Sequence, residues 1–199
     1  MKTITSWNDL LEVAHPEAKA KGWWDNPDRP IDEQVANFHA EISEAWEEYR
    51  AGRMETWYSA SGEKAQLEAR NSEGCPGWYH EETGDWLAIK PEGFWVEIGD
   101  LLVRLADTCG RYGLPVVIKD SQGEKRAPAE LVCELHYLVA DSQFWFAAED
   151  WASSMESAEE IVRKCVTTAK RHGVNLWPIV NEKVAYNRTR SHRHGNKAA

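Results

Sequence analysis

Along much of the chain, apolar side chains return every three or four positions, the period of an amphipathic helix. Over 33–50 the stripe is Val35, Phe38, Ile42, Ala45, Trp46 and Tyr49, with Asp32 placed to cap its start and Gly52 to end it. Over 94–112 the stripe is Ile98, Leu101, Leu102, Leu105, Cys109 and Tyr112, closed by Gly113. Pro128 suits the first position of a helix that carries Leu131, Leu135 and Leu138 to about residue 146. Ser157 with Glu160 reads as a capping box for a helix ending before Gly173, and a last helix spans roughly 176–189. Near the start, Ser6 and Asp9 cap a shorter helix through "WNDLLEVAHPEAKAK", which Pro16 interrupts or ends.

The period fails between these stripes. "GWWDNPDRP" is loop by composition, and residues 53–93 mix glycines, charges and tryptophans, with at most a short helix near 63–70. An excursion that long tends to be a functional lid or disordered. "LPVVIKD", 114–120, is the best strand candidate, but one strand makes no sheet. The expected architecture is therefore all-α: one domain over 1–199, a helical bundle with irregular insertions, chiefly 53–93, and a basic tail over 190–199.

Composition narrows the function classes. The 199 residues suffice for one sizeable core, and 42% hydrophobic with 28% charged residues fits a globular chain. A net charge of −10 argues against a nucleic-acid binder, whose footprint is basic. It does not argue against a nucleotide ligand, because divalent cations can invert the field over an acidic site. The first residues lack the apolar core of a signal peptide, and no run approaches 18 apolar residues, so a cytoplasmic protein without membrane partners is expected. Cys75, Cys109, Cys133 and Cys165 are widely spaced and form no CxxC, so reduced thiols are expected rather than a zinc site. Cys109 and Cys133 fall on apolar stripes.

Two helices carry acidic pairs beside their apolar stripes. Glu41 and Glu44, with Glu48 beyond them, flank the first, and Glu97 and Asp100 flank the second, followed by Arg104, Asp107 and Arg111. If the stripes pack together, four carboxylates converge and raise one another's pKa values unless cations intervene. Mg²⁺ and Mn²⁺ prefer such oxygen ligands. Taken alone, each E-x-x-[ED] pair is more often a solvated helix face. Further on, Lys183, Asn187 and Arg190 share one helical face, where Lys183 and Arg190 can hold phosphate oxygens. His192, Arg193, His194 and Lys197 extend the positive charge. Trp23, Trp24, Trp57 and Trp78 are candidates to stack on a base, and His39 is a candidate partner for a carboxylate.

In order, Glu41-x-x-Glu44, Glu97-x-x-Asp100, Lys183-x-x-Tyr186-Asn187-x-x-Arg190 and His194-Gly195 resemble the MazG-like branch of the all-α nucleoside triphosphate pyrophosphohydrolases. "KGWWD" at 21–25, His39–Glu47, "KPEG" at 90–93 and the ending "HG-x-K" at Lys197 extend the resemblance over most of the chain. It implies Mg²⁺-dependent cleavage of the α–β phosphoanhydride of a nucleoside triphosphate, yielding monophosphate and pyrophosphate. It implies Glu41, Glu44, Glu97 and Asp100 as catalytic metal ligands, with Lys183, Tyr186, Asn187 and Arg190 on the substrate. It also implies a homodimer or a dimer of dimers. Insertion 53–93 lengthens the separation of the acidic motifs, which bears on substrate range. Either Glu41 or Glu44 would serve as the base. The competing reading is a helical nucleotide-binding or protein-interaction module without turnover.

Overall fold

The structure, a computed structural model, describes residues 2–60, 63–65, 69–80, 84–118 and 126–193. It is an all-α bundle with irregular, β-containing insertions. Its helices are α1 (Trp7–Ala20), α2 (Ile31–Arg50), α3 (Phe94–Tyr112), α4 (Pro128–Ala147), α5 (Trp151–Arg171) and α6 (Leu176–Thr189). The most apolar stripe takes the centre: α3 packs against α1, α2 and α6, while α4 bridges α2 and α5. Phe38, Ile42, Ile98, Leu101, Leu102 and Leu105 are fully buried in this core. Each such side chain contributes roughly 1.5–3 kcal/mol of burial free energy, so the α2–α3 seam is a major stabilising contact. Gly99 lets α6 approach α3, since a Cβ there would lie 3.3 Å from Val180.

Several helix ends differ from the pattern-based expectation. α2 starts at Ile31 behind Pro30, so Asp32 sits in the first turn, where its charge complements the helix dipole, and is not the cap. α5 starts at Trp151, because Asp150 accepts a hydrogen bond from the Ser153 N–H at 3.1 Å. Ser157 is consequently buried inside α5 and forms no capping box. Pro16 does not end α1; the helix continues to Ala20 because Pro16 and Glu12, whose carbonyl loses its donor, both face solvent. Cys109 is buried as its stripe implied, whereas Cys133 lies on the outer face of α4 and is exposed.

Among its described residues the insertion holds six short strands: β1 (Trp57–Ala60), β2 (Glu63–Ala65), β3 (Ala69–Arg70), β4 (Pro76–His80), β5 (Asp85–Ala88) and β6 (Lys90–Glu92). They form two antiparallel three-stranded sheets, ordered β2-β1-β6 and β3-β4-β5. Where a short helix is expected near 63–70, residues 63–65 and 69–70 are strand, and 66–68 lie outside the described residues. Tyr58 pairs with Ala65 and Ser59 with Lys64, and pairing across strands outweighs a weak local helical tendency. The strand expected at 114–120 does not form over 114–118, although Leu114 and Val116 are buried in alternation. The Val116 carbonyl accepts from the Trp7 indole at 3.0 Å instead of from a neighbouring strand. Residues 119–120 lie outside the described residues.

The insertion is tied to the bundle where β6 runs into α3. Gly93, at φ +124°, makes this bend, and its carbonyl accepts from the N–H groups of Val96 and Glu97. A Cβ at Gly93 would come within 2.5 Å of the Glu55 carbonyl oxygen, so only glycine fits. No helix among the described residues is long and apolar enough to cross a membrane.

Candidate metal centre

Packing of α2 on α3 brings Glu41, Glu44 and Glu97 together, with one carboxylate oxygen from each within 4.8 Å of the others. Spacing explains the local part: residues three apart on α2 lie on one face, one turn apart. Glu41 and Glu97 are only 3% and 1% exposed, whereas Glu44 faces solvent, so the cluster has a floor and an open rim. Glu97 Oε2 is buried without a hydrogen-bond partner. An orphaned oxygen on a member of a carboxylate group fits the oxygen-donor chemistry of a hard divalent cation.

Asp100 lies beside this group and pairs with a side-chain cation. Lys183, 1% exposed on α6, places Nζ 2.8 Å from Asp100 Oδ2 and 3.9 Å from Glu97 Oε1. Arg104, one turn beyond Asp100, donates from Nε to Glu41 Oε1. Burial, with help from the Asp100 and Glu44 charges, pushes the Glu41 carboxyl up to about 7 against the pull of Arg104. Burial likewise lifts Glu97 to about 9, although Lys183 opposes it. Burial disfavours the charge on Lys183, yet Asp100 and Glu97 outweigh it and hold the ammonium protonated.

Behind Asp100 and Arg104 lies a cavity of about 100 Å³ between α1, α3 and α6. Asn187 and Arg190 line it, together with Lys21, Trp23 and Arg29 from the α1–α2 region. Asn187 Oδ1 is buried without a partner, and the Arg190 guanidinium lies 6.0 Å from the Tyr186 ring. Of the face read as Lys183, Asn187 and Arg190, the last two therefore reach the cavity, and Lys183 points into the acidic group. Tyr186 faces a separate cleft with Trp78, Leu87 and Lys90. His194, Gly195 and Lys197 lie outside the described residues.

Other candidates go elsewhere. Trp23 lines the cavity, but the Trp24 indole donates to Asp107 Oδ1 at 2.8 Å, and that same oxygen lies 2.8 Å from His15 Nδ1. The Trp57 indole donates to Glu48 at 2.7 Å, which removes both from the site. His39 stacks on His136 of α4, with the two Nδ1 atoms 2.9 Å apart, rather than meeting a carboxylate. Arg104 is the neighbour of the acidic group to which the sequence alone assigns no partner. Its spacing of seven from Glu97 and four from Asp100 was a legible signal. Lys21 and Arg29 carried no such signal, because the fold of a loop brings them in. No family model matches the chain, and neither a curated protein nor a solved structure matches it at a significant level.

Proposed function

We propose that the protein is a Mg²⁺-dependent nucleoside triphosphate pyrophosphohydrolase of the MazG-like kind, with Mn²⁺ as a substitute ion. The observation that carries the reading is the convergence of Glu41, Glu44 and Glu97, with Glu97 Oε2 unpartnered in the interior. The ordered motifs of the sequence support the choice of reaction, and the basic residues of the adjoining cavity support a phosphate ligand.

Glu41, Glu44 and Glu97, with Asp100 beside them, would hold the ion. When bound, it supplies charge neutralisation on the phosphate oxygens and a lowered pKa for water. The chain's own residues do the rest. Arg190 and Asn187 engage phosphate oxygens from the cavity wall, where Trp23 stands with the Arg29 guanidinium 5.7 Å from its ring centre. Lys183 keeps Asp100 and Glu97 in place from beneath. Water adds to the α-phosphorus, the bond from that phosphorus to the α–β bridging oxygen breaks, and pyrophosphate leaves with the bonding electrons. Glu44 is the exposed carboxylate of the group and carries no ion pair among the described residues, so it is the one placed to take the proton of the attacking water.

Phosphorus NMR of products from a panel of nucleoside and deoxynucleoside triphosphates tests the reading. Monophosphate and pyrophosphate should appear together with Mg²⁺, and EDTA should abolish turnover until excess Mg²⁺ is restored. Orthophosphate as the first product would mean that a different anhydride is attacked. Nucleotide binding without any product would favour a binding module.

A further inference from the structure

Arg104 stands at the boundary between the acidic group and the cavity. Its Nε pairs with Glu41 Oε1 in the interior, yet its side chain is 35% exposed and lines the same cavity wall as Asn187 and Arg190. Its charge also bears on Asp100 and Glu44, so it faces three of the four carboxylates. A guanidinium on Glu41 Oε1 repels a divalent cation brought to the same carboxylate. Lys183 is different: it is 1% exposed, locked between Asp100 and Glu97, and has nowhere to go. Arg104 has the cavity to turn into, beside Asn187, which lines the same wall.

We propose that Arg104 is the resident counter-ion of the acidic group and, in turn, a ligand for substrate phosphate. It holds Glu41 while no divalent cation is present. Once a cation takes that carboxylate, repulsion between like charges turns the guanidinium into the cavity, where its planar fork meets an oxyanion. Cation binding and oxyanion binding are thereby linked through one side chain, and such linkage is reciprocal. The inference rests on the metal reading above and adds a competition that the metal reading alone does not require.

The test is titration calorimetry of the full-length protein with Mn²⁺ alone, and then with inorganic pyrophosphate at saturating Mn²⁺. R104M removes the competing charge and should bind Mn²⁺ alone on the order of tenfold more tightly than wild type, within the usual range for coupled sites. R104K keeps a charge that can hold Glu41 and should stay close to wild type. Both R104M and R104Q should bind pyrophosphate more weakly than wild type at saturating Mn²⁺. R104M leaves Glu41 buried and unpaired, so folding is checked by circular dichroism. If R104M does not fold, R104Q, which can still donate to Glu41, carries the Mn²⁺ comparison. Mn²⁺ affinity equal to or below that of wild type in the neutral variants would overturn the competition while leaving the metal reading intact. Tighter Mn²⁺ with unchanged pyrophosphate affinity would overturn the phosphate role. No Mn²⁺ binding by wild type would overturn the metal reading, and this inference with it.

Discussion

At Glu97 a carboxyl is held in the interior with Oε2 unpartnered and its titration raised by burial to about 9, against an ordinary value of 4.5. The folded protein therefore binds this proton more tightly than the unfolded chain does. The stability contributed is fully present below about 4.5 and is lost as pH rises through about 9. Glu41 adds the same trend through about 7. In EDTA, E97Q and wild type should melt together at pH 5. By pH 9 the variant should be ahead by about 1–3 kcal/mol, since its amide carries no charge to bury. Parity at pH 9 would show that Glu97 is not held this way. Neighbouring substitutions should behave differently. E44Q, at the open rim, should leave the metal-free melting temperature unchanged while lowering Mn²⁺ affinity by about tenfold or more. K183M breaks a buried ion pair and takes from Asp100 its partner at 2.8 Å, so chemical denaturation should show a loss of about 3–5 kcal/mol.

The helices follow from stripes that any reader can count, but their ends depend on competing caps. Asp150 intercepts the start of α5 six residues before Ser157 because its carboxylate reaches the Ser153 N–H. The insertion was opaque for a different reason. Its strands run two to five residues each, too short for a period, and their partners lie elsewhere in the chain, as Trp57 with Glu92 shows. One position in this region bears directly on the site: Gly93 turns the chain from β6 into α3 four residues before Glu97. G93A would force alanine to φ +124° and its Cβ against the Glu55 carbonyl. The expected loss is about 1–3 kcal/mol, read as a lower urea midpoint, together with weaker Mn²⁺ binding because the first turn of α3 positions Glu97. An unchanged midpoint would mean that the β6–α3 bend relaxes freely.

For the molecule as a whole, we propose a homodimer, on the resemblance of the motifs and because closed two-fold pairs are the commonest arrangement of soluble oligomers. Light scattering at micromolar protein should give at least twice the 22.7 kDa chain mass, and a monomer mass would refute it. Bundle architecture needed only the apolar stripes, because packing α1, α2 and α6 on α3, with α4 joining α2 to α5, removes them from water. The cavity beside the acidic group needed more. It draws Trp23 and Arg29 from one loop and Asn187 and Arg190 from the other end of the chain.

By itself the sequence determined the all-α class, the α2 and α3 stripes and the flanking positions of Glu41, Glu44, Glu97 and Asp100. All of these are local facts of a period near 3.6. Only the tertiary structure decided that Glu97 loses a partner, that Lys183 serves Asp100 from beneath, and that Arg104 divides its contacts between a carboxylate and a cavity. The helical period sets which residues share a face. Which charge meets which, and how dry the meeting is, depends on the crossing of α2, α3 and α6, and Gly99 against Val180 sets how closely α3 and α6 approach.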